Sequence, residues 1–177
     1  MPLSPFLKEK IMRLSFYIAN SDYCDFLREK DPCVPYTMES KSNRPFVGIV
    51  LVINGINYYA PLTSPKSKHA KMKNQADFYK IQGGQLGAIN FNNMIPIHEK
   101  SLKVIDINGL PENTTEDKNY KNLLINQLSW CNANKEAILV KAKVLYQMIT
   151  QGRANEKLKA RCCDFLLDEV LYKEYTT

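Results

Sequence analysis

Two hydroxyls and an ammonium group leave one expected strand together in Pro61-Leu62-Thr63-Ser64-Pro65-Lys66, with Lys68 and His69 two and three residues beyond Lys66. Hydroxyls donate hydrogen bonds to the oxygens of an anion, and a lysine beside them stabilises negative charge that builds up there. The prolines restrict the backbone on both sides, so the segment has the makings of a rigid oxyanion cradle. Thr63 and Ser64 also suit an ST-turn that caps backbone groups at a strand end, and residue types alone leave both readings open. The two histidines, His69 and His98, are far apart, and neither begins an HExxH-like metal motif. His98, beside Pro96, reads as a surface residue closing a strand. Gly83-Gly84 with Gly87 lacks the following helix that a phosphate-binding loop needs, so nucleotide-cofactor chemistry is not expected.

Charge singles out the same region. Between Lys41 and Lys80 stand seven basic residues, Lys41, Arg44, Lys66, Lys68, Lys71, Lys73 and Lys80, against the single acid Asp77. The rest of the chain carries 17 basic and 17 acidic residues, so the whole net charge of +6 lies in this 40-residue window. That is the pattern of a polyanion-binding surface, although a basic run also serves as a solvated face.

The elements that must position these groups change character along the chain. Leu14–Ile18 reads as a strand, and Ser21 as the N-cap of a helix over Asp22–Lys30. Phe46–Ile53 and Ile56–Leu62 are rich in β-branched and aromatic residues and meet at Asn54-Gly55, the pair a type I′ hairpin turn favours. Asp77–Ile81, Leu86–Phe91, Met94–Ile97 and Leu102–Ile107 read as short strands. Beyond the loop Asn108–Lys118 the period becomes helical: Tyr120, Leu123, Leu124, Gln127 and Leu128 share one face, Ile138–Thr150 gives a second helix, and Glu156–Tyr172 a third with Leu158, Cys162, Phe165, Leu166 and Val170 inward. Strands followed by helices argue for an α+β fold in which the helices pack on one side of a curved antiparallel sheet.

At 177 residues, 45 % hydrophobic and 24 % charged, the chain is expected to form a single globular domain over 1–177. The longest apolar run, Phe46–Ile53, is far short of the roughly 20 residues of a membrane-spanning helix. The polar, proline-containing start does not look like a secretory signal, so a cytoplasmic protein with reduced thiols is expected. Cys24, Cys33, Cys131, Cys162 and Cys163 include no zinc-ligand spacing, so no metal and no cofactor is expected.

The stretch Phe46-Val47-Gly48-Ile49-Val50-Leu51, followed by Tyr59-Ala60-Pro61-Leu62-Thr63-Ser64-Pro65-Lys66 and Lys68-His69, resembles the ToxN/AbiQ family of type III toxin-antitoxin endoribonucleases. The likeness continues through Gly84-Gln85-Leu86-Gly87-Ala88-Ile89-Asn90, Met94-Ile95-Pro96-Ile97 and the helix with Tyr120, Lys121, Leu124, Gln127, Leu128 and Asn134. Met12-Arg13-Leu14-Ser15-Phe16-Tyr17 looks like the family's usual start, which leaves residues 1–11 as an N-terminal extension.

The resemblance implies a twisted antiparallel sheet forming a partial Kid/MazF-like barrel, decorated by C-terminal helices. It implies a phage-defence toxin that cleaves RNA without a metal, is inhibited by a small repeated pseudoknot RNA, processes that RNA's precursor and assembles with it into a hetero-oligomer. By position, Thr63, Ser64 and Lys66 fall on the family's active-site residues, and Arg44 stands where the family also uses lysine; the family's tyrosine shortly before it falls, without a gap, on Ser40, and Tyr36 is its substitute if the loop here is longer. Lys41, Lys68, His69, Lys71, Lys73 and Lys80 are then the expected RNA-binding surface. The fitting chemistry is attack by the ribose 2′-OH on its own 3′ phosphate, which leaves 2′,3′-cyclic phosphate and 5′-OH ends and excludes DNA. His69 and Tyr36 are candidates for moving protons. The alternative from a different class is a Kid/MazF-like protein that binds a protein or RNA target without cutting, because function lives in the site and not in the fold.

Overall fold

The computed structural model describes residues 13–36 and 44–175. Residues 1–11 and Lys41, both singled out above, lie outside them. The strands are β1 (Ser15–Ala19), β2 (Phe46–Ile53), β3 (Ile56–Thr63), β4 (Phe78–Lys80), β5 (Ala88–Asn90), β6 (Ile95–Pro96) and β7 (Leu102–Val104). The helices are α1 (Ser21–Arg28), α2 (Ser67–Lys71), α3 (Thr115–Ala133), α4 (Lys135–Thr150), α5 (Glu156–Arg161) and α6 (Phe165–Glu174).

The strands form one antiparallel sheet in the order β4-β5-β3-β2-β1-β7, with β6 also on β3, and the sheet does not close into a barrel. β3 is its organiser. One edge of β3 pairs with β2 from Pro61 back to Ile56, and the hairpin turns through Asn54 and Gly55 at φ 49° and 80°, the positive values that Asn-Gly tolerates. The other edge is shared: β6 takes Tyr58 and Tyr59, and β5 takes Leu62 and Thr63. The chain segments on either side of the Thr63 end therefore differ from those at the Ile56 end, which lets the sheet bend along β3.

The core lies between this sheet and the helices: β2 packs against α4, and Phe46, Val47 and Val50 share one buried cluster with Ile138, Ala142 and Leu145. Glu169 of α6 accepts from the phenols of Tyr58 and Tyr146, each at 2.7 Å, which fastens α6 to both the sheet and α4. α3 begins with a capping box: Thr114 Oγ1 accepts from the Asp117 N–H at 3.0 Å, and Asp117 Oδ2 accepts from the Thr114 N–H at 3.2 Å. No helix of the described residues is long and apolar enough to cross a membrane.

Three sequence expectations change. Asn20, not Ser21, caps α1: its side chain accepts from the Tyr23 N–H at 3.0 Å, and Ser21 is the first residue of the helix. The third helix is broken, because Cys162 at ψ 150° ends α5 and the Asp164 carboxylate starts α6 by accepting from the Leu167 N–H at 3.1 Å. The break resets the helical phase, so Leu166 and Val170, expected inward, are each 51 % exposed, while Phe165, Asp168 and Leu171 face the core. The Asp77–Ile81 and Leu86–Phe91 strands also shorten, since residues 81–84 and 91–93 wind into 3₁₀ turns.

Asp168 sits in that core with no N–H donor on either oxygen. Its neighbour Asp31 is already occupied by the N–H groups of Cys33 (3.1 Å) and Asp164 (2.7 Å). Burial, followed by the charge of Asp31 and a hydrogen bond to it, pushes the Asp168 carboxyl up to about 9, so it stays protonated and donates to Asp31. The folded protein thus keeps a proton that the unfolded chain releases in the ordinary aspartate range. The stabilisation is complete below that range and is lost as pH rises towards about 9, with a limiting slope of about 1.4 kcal/mol per pH unit. Asp168→Asn supplies a permanent donor. Thermal denaturation between about pH 5 and about pH 9 is expected to show a flatter decline for this variant than for the parent, and parallel curves would refute the shared proton.

Candidate active site

The Thr63 end of β3 is held on three sides. The Leu62 N–H donates to the Pro45 carbonyl at 2.9 Å, and its own carbonyl accepts from Arg44 Nε at 2.7 Å. Thr63 pairs with Ala88, and just before that residue Gly87, at φ +92°, lies so close that a Cβ would overlap the Thr63 carbonyl oxygen. Gly84, at φ +95°, presses on His69 in the same way, a Cβ there falling 2.9 Å from the His69 carbonyl. The side chain of Gln127 in α3 donates to the Leu86 carbonyl at 2.8 Å, so the loop under the site is tied to the helical layer. Only glycine meets both the positive φ and the close approach at positions 84 and 87.

Ser64 and Lys66 emerge from this clamp exposed, and Thr63 is half-buried. His69 is nearly fully buried and accepts the Lys66 N–H on Nδ1 at 3.2 Å. Its ring must therefore be unprotonated at Nδ1, and burial together with the charges of Lys66 and Lys68 lowers its pKa in keeping with that. The nitrogen that would take a proton is occupied, so His69 holds the backbone of Lys66 in place. Arg44 is half-buried, and burial lowers its pKa, but arginine starts so high that it stays charged.

Arg44, Thr63 and Lys66 stand on the wall common to two cavities. The first, of about 440 Å³, is completed by Pro45, Leu62, Ser64, Tyr120, Leu123, Leu124 and Gln127. The second, of about 340 Å³, reaches past Lys68 and His69 to Gln75, Asn92 and Arg161. An anion on the common wall would meet two cations and the Thr63 hydroxyl, with Ser64 on the side of the first cavity and space on either side for the groups it joins. Burial raises the Tyr120 phenol, which makes it an O–H donor at neutral pH.

The other expected residues fall elsewhere. Tyr36 is 46 % exposed, lies 4.2 Å under the Arg28 guanidinium and lines neither cavity. Lys71 and Lys73 are exposed beyond the second cavity, and Lys80 is half-buried on β4. His98 is not a free surface group: it stacks on Tyr172 with ring centres 3.6 Å apart, and Nε2 lies 2.6 Å from the Tyr172 carbonyl. Sequence reading missed Tyr120 and Gln127, whose apolar spacing marked a core face, and Arg161, whose ion pair with Asp77 spans 84 residues. Among the described residues, the group with metal-ligand character is Asp31, Cys163 and Asp168, which lines neither cavity and is accounted for by the shared proton.

Over residues 15–173 the chain matches the family described as Toxin ToxN, type III toxin-antitoxin system. The chain belongs to the ToxN family. It is 35 % identical over 164 residues to Endoribonuclease ToxN of Bacillus thuringiensis subsp. kurstaki, covering 90 % of this chain and 83 % of that one. It is also 35 % identical over 170 residues to Endoribonuclease ToxN of Pectobacterium atrosepticum, covering 92 % and 94 %. A solved structure from a bacterial antiviral system regulated by a processed non-coding RNA superposes with a TM-score of 0.77 at 33 % identity, covering 92 % of this chain and 99 % of the other. A second, from work on selective toxin inhibition by a non-coding RNA pseudoknot, gives 0.75 at 34 %, covering 92 % and 98 %. The matched range contains both cavities and the whole described sheet.

The clamp makes a local prediction. Gly87→Ala forces a Cβ onto the Thr63 carbonyl at a positive φ, a strain of about 1–3 kcal/mol. Thermal denaturation should show a fall of about 2–4 °C for each kcal/mol, whereas an unchanged midpoint would mean that β3 is not held by this contact.

Proposed function

We propose that this protein is the endoribonuclease toxin of a type III toxin-antitoxin pair, a single cytoplasmic domain that cuts RNA at the Arg44, Thr63, Ser64 and Lys66 wall. The observation that carries the reading is the meeting of Arg44, Thr63 and Lys66 on the wall common to two cavities, with Ser64 lining the first, in a chain 35 % identical to named ToxN endoribonucleases. The scissile phosphate would sit on the common wall, with one flanking nucleotide in each cavity. The 2′-OH of the substrate attacks the adjacent phosphorus in line and the 5′ oxygen leaves, giving a 2′,3′-cyclic phosphate and a 5′-OH. The protein has to orient the phosphate, balance the charge that develops on it and let protons move.

Lys66 and Ser64 are assigned to the phosphate oxygens, Thr63 to the local geometry and Arg44 to additional positive charge. His69 positions Lys66, and Tyr120 takes the place first given to Tyr36 as the phenol at the site. Cations rather than free carboxylates line the wall, and the acid of the second cavity, Asp77, is engaged by Arg161, which suits a reaction without a bound metal.

A related solved structure concerns toxin inhibition by a non-coding RNA pseudoknot. We extend that to this chain: a repeated pseudoknot RNA, cut from its precursor by the toxin, occupies the same basic cleft and assembles with it. Charge supports one shared groove, because outside residues 41–80 the acidic and basic residues balance.

Incubated with RNA in EDTA, the purified protein is expected to yield 5′-OH fragments. Lys66→Ala and Ser64→Ala should each slow cleavage by about 100- to 1,000-fold without loss of folding, since both side chains are exposed. Lys66→Glu should in addition weaken capture of the antitoxin RNA on gel filtration. A Lys66→Ala protein that cuts at the parent rate would remove the assignment.

A further inference from the structure

The second cavity has a feature that phosphate chemistry does not require. Arg161 reaches it from the end of α5 and makes four polar contacts. Its Nε donates to Asp77 Oδ2 at 2.6 Å, and one terminal nitrogen donates to Asp77 Oδ1 at 2.8 Å and to Gln75 Oε1 at 2.9 Å. Its carbonyl accepts from the Asn92 side-chain amide at 3.1 Å. Asp77 is buried, so this pairing is also what keeps its carboxylate satisfied.

These contacts settle which way two amides face. A guanidinium can only donate and a carbonyl can only accept, so Gln75 must turn its oxygen to Arg161 and Asn92 its nitrogen. Each amide is left with its opposite atom unengaged by Arg161: the Gln75 NH₂, a donor, and the Asn92 oxygen, an acceptor. Neither amide can flip without placing like against like. Phe78, Met72 and the buried His69 line the same cavity and provide apolar and aromatic surface for a planar ring.

We propose that Gln75 and Asn92 are specificity-determining residues that read one nucleobase beside the scissile phosphate, and that Arg161 is a positioning residue that fixes their donor and acceptor. A base edge offers an adjacent donor and acceptor of its own, and oriented amides discriminate among bases where a phosphate contact does not. A cavity with fixed polar groups rejects a base that leaves them unpaired. The inference rests on the cleavage reading given above and adds to it where sequence preference arises.

The test is to digest a random-sequence RNA pool with the parent, Gln75→Ala, Asn92→Ala and Arg161→Lys, and to sequence the 5′-OH fragment ends. Gln75 is exposed and its truncation spares the core, and Arg161→Lys keeps a cation for Asp77 but loses the fork that also holds Gln75. The parent is expected to show base preference at positions flanking the cut. All three variants should flatten the preference at one and the same position, with kcat/KM for the preferred over a disfavoured sequence falling by about 10- to 100-fold. A change in Arg161→Lys that follows the two amide variants marks orientation, since a general loss of stability would not select one position. Unchanged preference in all three, flattening at three different positions, or variants that bind RNA and cut nowhere would overturn the proposal. A parent that produces no 5′-OH ends would instead sink the cleavage reading itself.

Discussion

One close approach governs the rest: Gly87 lies so near the Thr63 carbonyl that no side chain fits there. That contact lets β5 run alongside the last residues of β3, and it sets where the chain leaves the sheet. Arg44 grips the same strand end from the other side through the Leu62 carbonyl, so one hydrogen bond positions both this cation and the end of β3. From there the chain has little freedom: Pro65 limits it, His69 holds the Lys66 N–H, and Gly84 supports His69. The exposed ends of Ser64 and Lys66 are thus carried on a buried and rigid base, which is what preorganised charge stabilisation needs.

Charge is divided in keeping with that arrangement. The acid of the basic window, Asp77, is neutralised by Arg161, which leaves Arg44, Lys66 and Lys68 free to act on an anion. The core acids Asp31 and Asp168 avoid a double charge by sharing a proton. The charged lining of the two cavities is therefore net positive, a field that suits an anion.

What could be read in the sequence followed local chemistry. The Asn54-Gly55 turn, the hydroxyl and lysine cluster at the end of β3 and the periods of α3 and α4 depend on neighbours within a few residues, and all are present in the fold. What was missed depends on distant partners. The Cys162-Cys163-Asp164 break preserves an apolar pattern on both sides, so a continuous helix with Leu166 and Val170 inward was the natural reading. Tyr120 and Gln127 satisfy helical spacing while facing the cleft, and Arg161 enters the second cavity only because α5 packs beside residues 75–77. His69 looked like a proton carrier from its position after Lys66, and only its burial and its bond to Lys66 reveal a supporting part. Tyr36 borders residues 37–43 and Lys41 lies within them, so both assignments rest on the sequence alone.

In the proposed reaction the substrate supplies its own nucleophile while the β3 exit holds the phosphate. The direct measurement uses two short RNAs identical except for a single 2′-deoxy sugar on the 5′ side of the cleaved bond, each incubated with the protein in EDTA. The expected result is cleavage of the all-ribose strand to cyclic phosphate and 5′-OH ends, comparable binding of both strands, and no cut at the deoxy position. Equal cleavage of the two strands at that bond, or products with 5′-phosphate ends, would contradict it.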